Sequence, residues 1–330
     1  MKFGPVAVCD AESTILAHSI ALTNKRLRKG RVISNEDIAA MQVAGLTEVT
    51  VARLEAGDVA EDDAAQQLAL ALVPDAGRAG LRLGKPATGR VNIYAEGVGV
   101  VEVLADRINA LNALHPMITV ATVPKWQRVA QRNMVATVKI ISYAVPQAAL
   151  DAACLAGQSA LRLRPVSCRS AQLIQTSVDG ADTGQKGQAV TQDRLERMNV
   201  QLGPMQVVRH NIASVSQALT ASDADILLIL TGSATSDALD VGPQALRDAG
   251  GEVTHFGMPV DPGNLLFFGH LKGRPVIGLP GCARSPALNG ADWVLERLLC
   301  GVPVTSLDIA GMGVGGLLKE IPQRGRLREA

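Results

Sequence analysis

At 330 residues, 47% of them apolar, the chain is long enough for two or three separately cored domains. Its 32 basic and 31 acidic side chains leave a formal charge of +1, and aromatics make up only 2%. Neither a cationic face for nucleic acid nor an aromatic platform for single strands is on offer. No apolar run approaches the ~20 residues of a membrane span, and Met1-Lys2-Phe3-Gly4-Pro5 lacks a signal-peptide core. The five cysteines (Cys9, Cys154, Cys168, Cys282, Cys300) are scattered without C-x-x-C spacing, which suggests neither zinc nor a disulfide framework. A soluble protein of the cytoplasm is expected.

In chain order, Ser34-Asn35-Glu36-Asp37 predicts a capped helix running to Gly45, and Thr47–Ala52 alternates as a half-exposed strand. Asp58-Val59-Ala60-Glu61 reads as a second capping box, opening a helix that runs to about Leu72 and ends before Pro74. From Gly84 to Val145 the pattern reads as a small β-rich module: Val98–Leu104, Ile118–Val123 and Met134–Ile141, punctuated by turns at Thr88-Gly89-Arg90 and His115-Pro116. A boundary falls around Arg162-Leu163-Arg164-Pro165. Beyond it come a strand at Ala171–Ile174, a Gly/Asp/Gln-rich loop from Val178 to Ala189 and a helix around Val190–Leu202. Strand and helix then alternate to Gly301, which argues for a doubly wound, mostly parallel α/β sheet. Residues 1–165 thus read as an N-terminal α+β and β-rich module, 166–317 as an α/β domain, and 318–330 as a polar tail or linker. Gly311–Gly316 lacks the ending of a Walker loop and reads as a flexible connection.

Two loops carry the chemistry. Thr231-Gly232-Ser233-Ala234-Thr235-Ser236-Asp237-Ala238-Leu239-Asp240 follows the apolar run Ala224–Leu230 and precedes a helix at Pro243–Ala249. Pro280-Gly281-Cys282-Ala283-Arg284-Ser285-Pro286 follows Pro275–Leu279 and predicts a helix with Ser285 at N-cap and Pro286 at N1. Ligands of open α/β sheets sit beyond the carboxyl ends of the strands, where small residues and amide N–H groups suit anions. Between the loops, Phe256–Asn264 fixes a backbone path with two prolines and two glycines, as a binding loop or as a rigid connector. Asp237, Asp240 and Asp261 suit a Mg²⁺-bridged phosphate or a ligand with amide-like edges. Asp240 equally suits helix capping, worth ~1 kcal/mol. His210, His255 and His270 are too dispersed for a metal site and read as structural. Cys282 has no evident base and reads as a lining residue.

Together these loops resemble the molybdopterin-binding superfamily, which includes molybdopterin adenylyltransferases and molybdenumtransferases. That family's Thr-Gly-Gly loop, with a later Asp and a helix-opening Pro, is similar to Thr231-Gly232-Ser233 with Asp240 and Pro243. Its Leu-Pro-Gly-x-Pro-x-Ser loop is similar to Leu279–Ser285, and its Pro-Gly loop to Asp261-Pro262-Gly263-Asn264. The stretch from Leu27-Arg28-Lys29-Gly30 to Val51 resembles the segment entering this domain in the molybdenumtransferases. The whole chain looks most like a bacterial subgroup of molybdopterin-binding proteins, some of which continue into a nucleotidyltransferase domain.

The resemblance implies a three-layer α/β/α binding domain, a homo-oligomer, and a role in molybdenum cofactor biosynthesis. Molybdopterin would be the ligand, with Mg²⁺ and ATP or molybdate as possible companions. The activity implied is adenylyl or molybdenum transfer. The alternatives are a non-catalytic carrier presenting cofactor to a nucleotidyltransferase or apoenzyme, and a small-molecule sensor. Candidate ligand contacts are Thr231, Gly232, Ser233, Ser236, Asp237, Asp261, Pro262, Gly263, Asn264, Pro280, Gly281, Cys282 and Ser285, with Asp240 as catalytic and Mg²⁺-holding residue. Two departures matter. Ser233 replaces a second glycine and narrows the approach to a phosphate. Asp261 and Asn264 stand where molybdenumtransferases present lysines, so pterin binding is expected to exceed turnover.

Overall fold

The structure, a computed structural model, describes residues 1–23, 25–180 and 184–318. The chain forms two compact units, one of Met1–Gly97 with Val101–Leu163, the other of Val98–Val100 with the residues from Arg164 onward. The expected tail from Lys319 lies outside the described residues.

In the first unit, β1 (Lys2–Ala7), β2 (Ile15–Leu16) and β5 (Glu48–Arg53) form an antiparallel sheet, with β3 (Ile20–Ala21) and β4 (Arg26–Leu27) as a separate ribbon. Helix α1 (Asn35–Val43) covers them, and Leu16, Ile33, Met41 and Val51 make the core. The predicted capping box is present: Ser34 Oγ accepts the Asp37 amide, and Asp37 accepts the Ser34 amide, both at 3.3 Å. Asp37 is fully buried against Arg31 Nε (2.6 Å) and Lys25 Nζ (3.0 Å). Burial pushes its carboxyl up, but the bonds from Arg31, Lys25 and the Ser34 amide outweigh burial and hold it at about 2. A carboxyl depressed on folding stabilises above its unfolded pKa, near 4, and loses that contribution as pH falls through about 2. Because both cations are half-exposed, roughly 1 kcal/mol is at stake. Urea denaturation of Asp37→Asn and the parent should therefore differ at pH 6 and converge toward pH 2.5. A gap that does not change with pH would contradict this.

The chain then runs β6 (Asp58–Ala60), α2 (Glu61–Leu72), α3 (Ala76–Ala79), β7 (Leu81–Leu83), β8 (Arg90–Ala95), β9 (Gly99–Val103), α4 (Ala105–Leu114), β10 (Ile118–Thr122), β11 (Arg128–Val129), β12 (Met134–Ile140), β13 (Ala144–Pro146), α5 (Gln147–Ala156) and β14 (Leu161–Pro165). A sheet of order β10-β12-β8-β7 packs on α2, α4 and α5 through Leu68, Leu72, Ile93, Leu111, Val138 and Leu150. One expectation is corrected. Asp58 caps no helix: it lies in a strand and pairs with the amino terminus at 2.7 Å, and α2 starts at Glu61 without a side-chain cap. The stretch 84–145 is β-rich as expected, and it also holds α4, which the sequence pattern did not reveal. Thr88 (φ 52°) and Gly89 (φ 68°) form a two-residue turn of type I′ geometry between Ala87 and Arg90. Its tip is held down by Asp62, which accepts the Gly89 amide at 2.6 Å.

The second unit holds a seven-stranded sheet. Its strands are β15 (Ser170–Ser177), β16 (Gln201–Leu202), β17 (Gln206–Arg209), β18 (Ile226–Leu230), β19 (Glu252–Phe256), β20 (Phe267–Leu271) and β21 (Arg274–Leu279). The order is β16-β15-β18-β21-β20-β19, with β17 also paired to β15. Strands β15 to β18 and β21 are parallel, while β19 and β20 add an antiparallel hairpin edge. All five residues of β18 are buried, as a parallel strand covered on both faces requires. Helices α7 (Ile212–Ala221) and α8 (Val241–Asp248) pack on the face of Ile174, Leu227, Ile229 and Val276. Helix α6 (Gln185–Glu196) lies over Gln175 and Leu230, whose side chains alternate to the other face, and α9 (Gly290–Leu299) joins it there through Arg194 and Asp292. Helix α10 (Ser306–Ala310) follows.

Here too the structure corrects details. Helix α6 spans Gln185–Glu196 rather than residues near 190–202. Ser285 is not an N-cap and Pro286 does not open a helix. Residues Gly281–Arg284 form a 3-10 turn that Ser285 closes, and α9 begins at Gly290, capped by the Asn289–Asp292 box. The glycine-rich stretch near 311–316 is tied down, with Gly316 accepting the Asp261 amide at 2.9 Å. No helix among the described residues is long and apolar enough to cross a membrane.

Candidate functional site

Strand register decides where the loops emerge. Leu230 pairs with Leu279, and Phe267 with Gly278 and Phe256. Segments 231–240, 257–266 and 280–289 therefore all leave the sheet at the edge where its parallel strands end.

The first two strand ends touch directly. Arg284 Nη2 donates to the Thr231 carbonyl at 3.0 Å. Thr231 and Thr235 are buried and share a hydroxyl contact of 3.1 Å, leaving Gly232, Ser233 and Ala234 exposed between them. The Gly232 amide donates to Thr176 Oγ1 at 2.8 Å, and that hydroxyl lies 2.8 Å from His210 Nδ1. His210, read from the sequence as structural, thus stands behind the glycine loop. With Ser177, Asp179, Gly180, Arg209 and Asn211 it lines a cavity of about 580 Å³ at the ends of β15 and β17.

Asp240 is committed locally. Its Oδ1 accepts the Val241 amide (2.7 Å) at the N-cap of α8, and its Oδ2 accepts the Ser236 amide (3.0 Å). Asp237 accepts the Leu239 amide at 2.7 Å. Among the described residues no group of three or more His, Cys, Asp or Glu could hold a metal ion. As arranged, Asp240 caps both its own loop and helix α8.

The middle loop joins the site through α9. Gly290 N–H donates to the Pro262 carbonyl at 2.9 Å, and a Cβ on Gly263 would sit 3.0 Å from the Gly290 nitrogen. Asp261 bonds through its backbone to Gly316 and Leu318, while the Asn264 amide reaches the Met258 carbonyl (3.4 Å). Cys282, exposed, accepts from Asn289 Nδ2 at 3.1 Å. Ser285, also exposed, accepts the Ala287 amide at 3.3 Å.

The residue that sequence reasoning missed is Arg194 on α6. Its nearly buried guanidinium pairs with Asp292 and donates to the carbonyls of Ala283 (2.8 Å), Ser285 (2.9 Å) and Ala287 (3.3 Å). It thereby bends the chain after β21 into its loop. Its partners lie about ninety residues away, so no local pattern could reveal it. The Asn289-x-x-Asp292 box was a readable signal for where α9 begins.

The two site glycines differ physically. A Cβ on Gly232 would lie 2.6 Å from the Thr176 carbonyl oxygen, whereas on Gly281 the nearest atom would be Arg284 Nη1 at 3.9 Å. Gly232→Ala should cost on the order of 1–3 kcal/mol in thermal melts, and Gly281→Ala less than about 0.5 kcal/mol. The reverse ranking would show that the loop is held differently.

A family model described as a domain of unknown function, DUF8806, matches residues 5–53. No curated protein matches the chain. Among solved structures it is similar to a molybdopterin biosynthesis moea protein from Pyrococcus horikosii, with 14% identity over 91% of this chain and 75% of that one, TM-score 0.32. It is also similar to a molybdenum cofactor biosynthesis protein B, with 15% identity over 40% of this chain and 94% of that one, TM-score 0.30. A molybdenum cofactor biosynthesis protein from Pyrococcus furiosus is 11% identical over 94% of this chain and 65% of that one, TM-score 0.26. Likeness at this level does not assign the chain to a family.

Proposed function

We propose that the chain is a molybdopterin-binding protein of molybdenum cofactor biosynthesis, taking molybdopterin, its adenylate or the molybdenum-loaded cofactor at the open edge of the seven-stranded sheet. The reading rests on the order and spacing of the three loop motifs. The observation that carries it is the junction of the two main loops: Arg284 bonds Thr231, and exposed backbone at Gly232, Ser233, Gly281 and Cys282 lies on both sides of that bond. Exposed amides and hydroxyls there can meet the amide-like edge of a pterin and the oxygens of its terminal phosphate.

Of the two activities, presentation of the cofactor is favoured over adenylyl or molybdenum transfer. Asp261 and Asn264 stand where the resembled molybdenumtransferases present lysines, and the Asn264 amide reaches the Met258 carbonyl. No lysine or arginine lies within 256–265 to hold ATP phosphates or molybdate. Protein purified from a molybdopterin-producing host should release fluorescent pterin on denaturation and oxidation, in near-stoichiometric amount. It should also form little adenylated or metal-loaded product with ATP, Mg²⁺ and molybdate. Absence of pterin, together with no saturable binding of added molybdopterin, would refute the function. Turnover matching a known transferase would refute the carrier role.

A further inference from the structure

At the other end of the seven-stranded sheet, where its parallel strands begin, the edge beside β15 is interrupted. Strand β16 pairs with Ser170 and Ala171, and β17 with Ile174 to Ser177. Gly203-Pro204-Met205 joins the two, and Pro204 has no N–H with which to continue the ladder. The Gln172 side chain bridges the break, donating to the carbonyls of Pro204 (2.9 Å) and Leu173 (3.1 Å). Between the break and the end of α7 lies a cavity of about 460 Å³. Gln201, Gln206 and Asp223 line it together with small apolar residues, Ala171, Ala218 and Ala221 among them.

The unspent groups of this cavity are acceptors. Helix α7 ends without a backbone cap, so the carbonyls of its last turn accept no hydrogen bond among the described residues. They lie at the negative end of the helix dipole. The Asp223 carboxylate also has no partner among the described residues, whereas Asp225 accepts the Arg169 and Ser170 amides at 2.7 and 3.1 Å. No lysine, arginine or histidine is among the residues lining the cavity. The next carbonyls along, those of Ser222 and Ala224, are already served by a cation of the chain itself, the Arg274 guanidinium at 2.5 and 3.1 Å.

We propose that this cavity binds an alkylammonium group. The ammonium donates to Asp223 and to the α7 carbonyls with charge assistance, and its methylene stem lies on the alanines. Carboxylate and dipole together disfavour an anion. The cavity lies at the end of the sheet opposite the candidate pterin site and does not depend on that reading. The ammonium belongs either to a free amine or to a lysine side chain of another protein.

Ligand-observed NMR titrations of the full chain with putrescine, the diol of the same length and Nα-acetyl-lysine amide test this. The parent should bind putrescine saturably and at least about tenfold more tightly than the diol. Asp223→Asn should lose most of that difference. Ala221→Leu, which fills the cavity, should lose binding of putrescine altogether. Both positions are exposed, so each variant should melt as the parent does. Acetyl-lysine amide bound as tightly as putrescine assigns the site to a partner's lysine, and a clear preference for putrescine assigns it to a free amine. Putrescine bound no more tightly than the diol, or bound unchanged by either variant, overturns the proposal.

Discussion

Replacing Arg194 with methionine is expected to destabilise the second unit by about 3–5 kcal/mol, more than any other single change near the site. The substitution keeps the apolar stem but strips the partner from Asp292, which is 9% exposed, and the donors from three carbonyls. A buried charge left alone costs more than the pair contributed. In a unit of this size, that loss should lower the midpoint of thermal unfolding by roughly 10 °C. Adding Asp292→Asn removes the uncompensated charge, so the double variant should lose clearly less than the sum of the singles. Arg194→Lys should remain well below the parent, since one ammonium cannot reach three carbonyls and a carboxylate in a plane. Additive losses would mean that the pair is not coupled and that the loop after β21 is held by something else.

The second large effect concerns Gly278 on β21. A Cβ there would lie 1.8 Å from Phe267 Cε1, and Phe267 is one of the largest fully buried side chains. The ring fills the space beside Gly278 and also abuts Gly242 at the start of α8, where a Cβ would approach within 3.0 Å. Strand and helix thus meet over a single aromatic side chain in a chain that has very few. Gly278→Val should cost upward of about 3 kcal/mol and loosen both loops that flank the ring. Gly278→Ala combined with Phe267→Leu should recover part of the loss of Gly278→Ala alone. No recovery would place the strain elsewhere.

Local patterns were legible where the sequence solves its own problem. The Ser34 box closes within four residues, and the apolar run at 226–230 fits only a strand covered on both faces. Helix α4 was not legible: only Ile108 and Leu111 are buried, and no side chain caps its start. At Asp58 the box motif was present, but the amino terminus, far away in sequence, captured the carboxylate. Ser285-Pro286 has the chemistry of a helix start, yet Arg194 draws the Ser285 and Ala287 carbonyls out of helical geometry and α9 begins later. The two main loops of the candidate site could be located from sequence because each follows a largely buried strand. The roles of Thr176, Arg194, His210 and Arg284 depend on partners thirty or more residues away, beyond what spacing can report.

Hydrogen–deuterium exchange of the full chain with and without molybdopterin tests most directly whether these strand ends form one pterin site. Protection is expected at the exposed residues 233–234 and 281–282, with smaller changes around 261–264, because the loops share one edge and Arg284 links the first two. Molybdopterin that binds while leaving both 233–234 and 281–282 unprotected, or that protects only the first unit, would contradict the site.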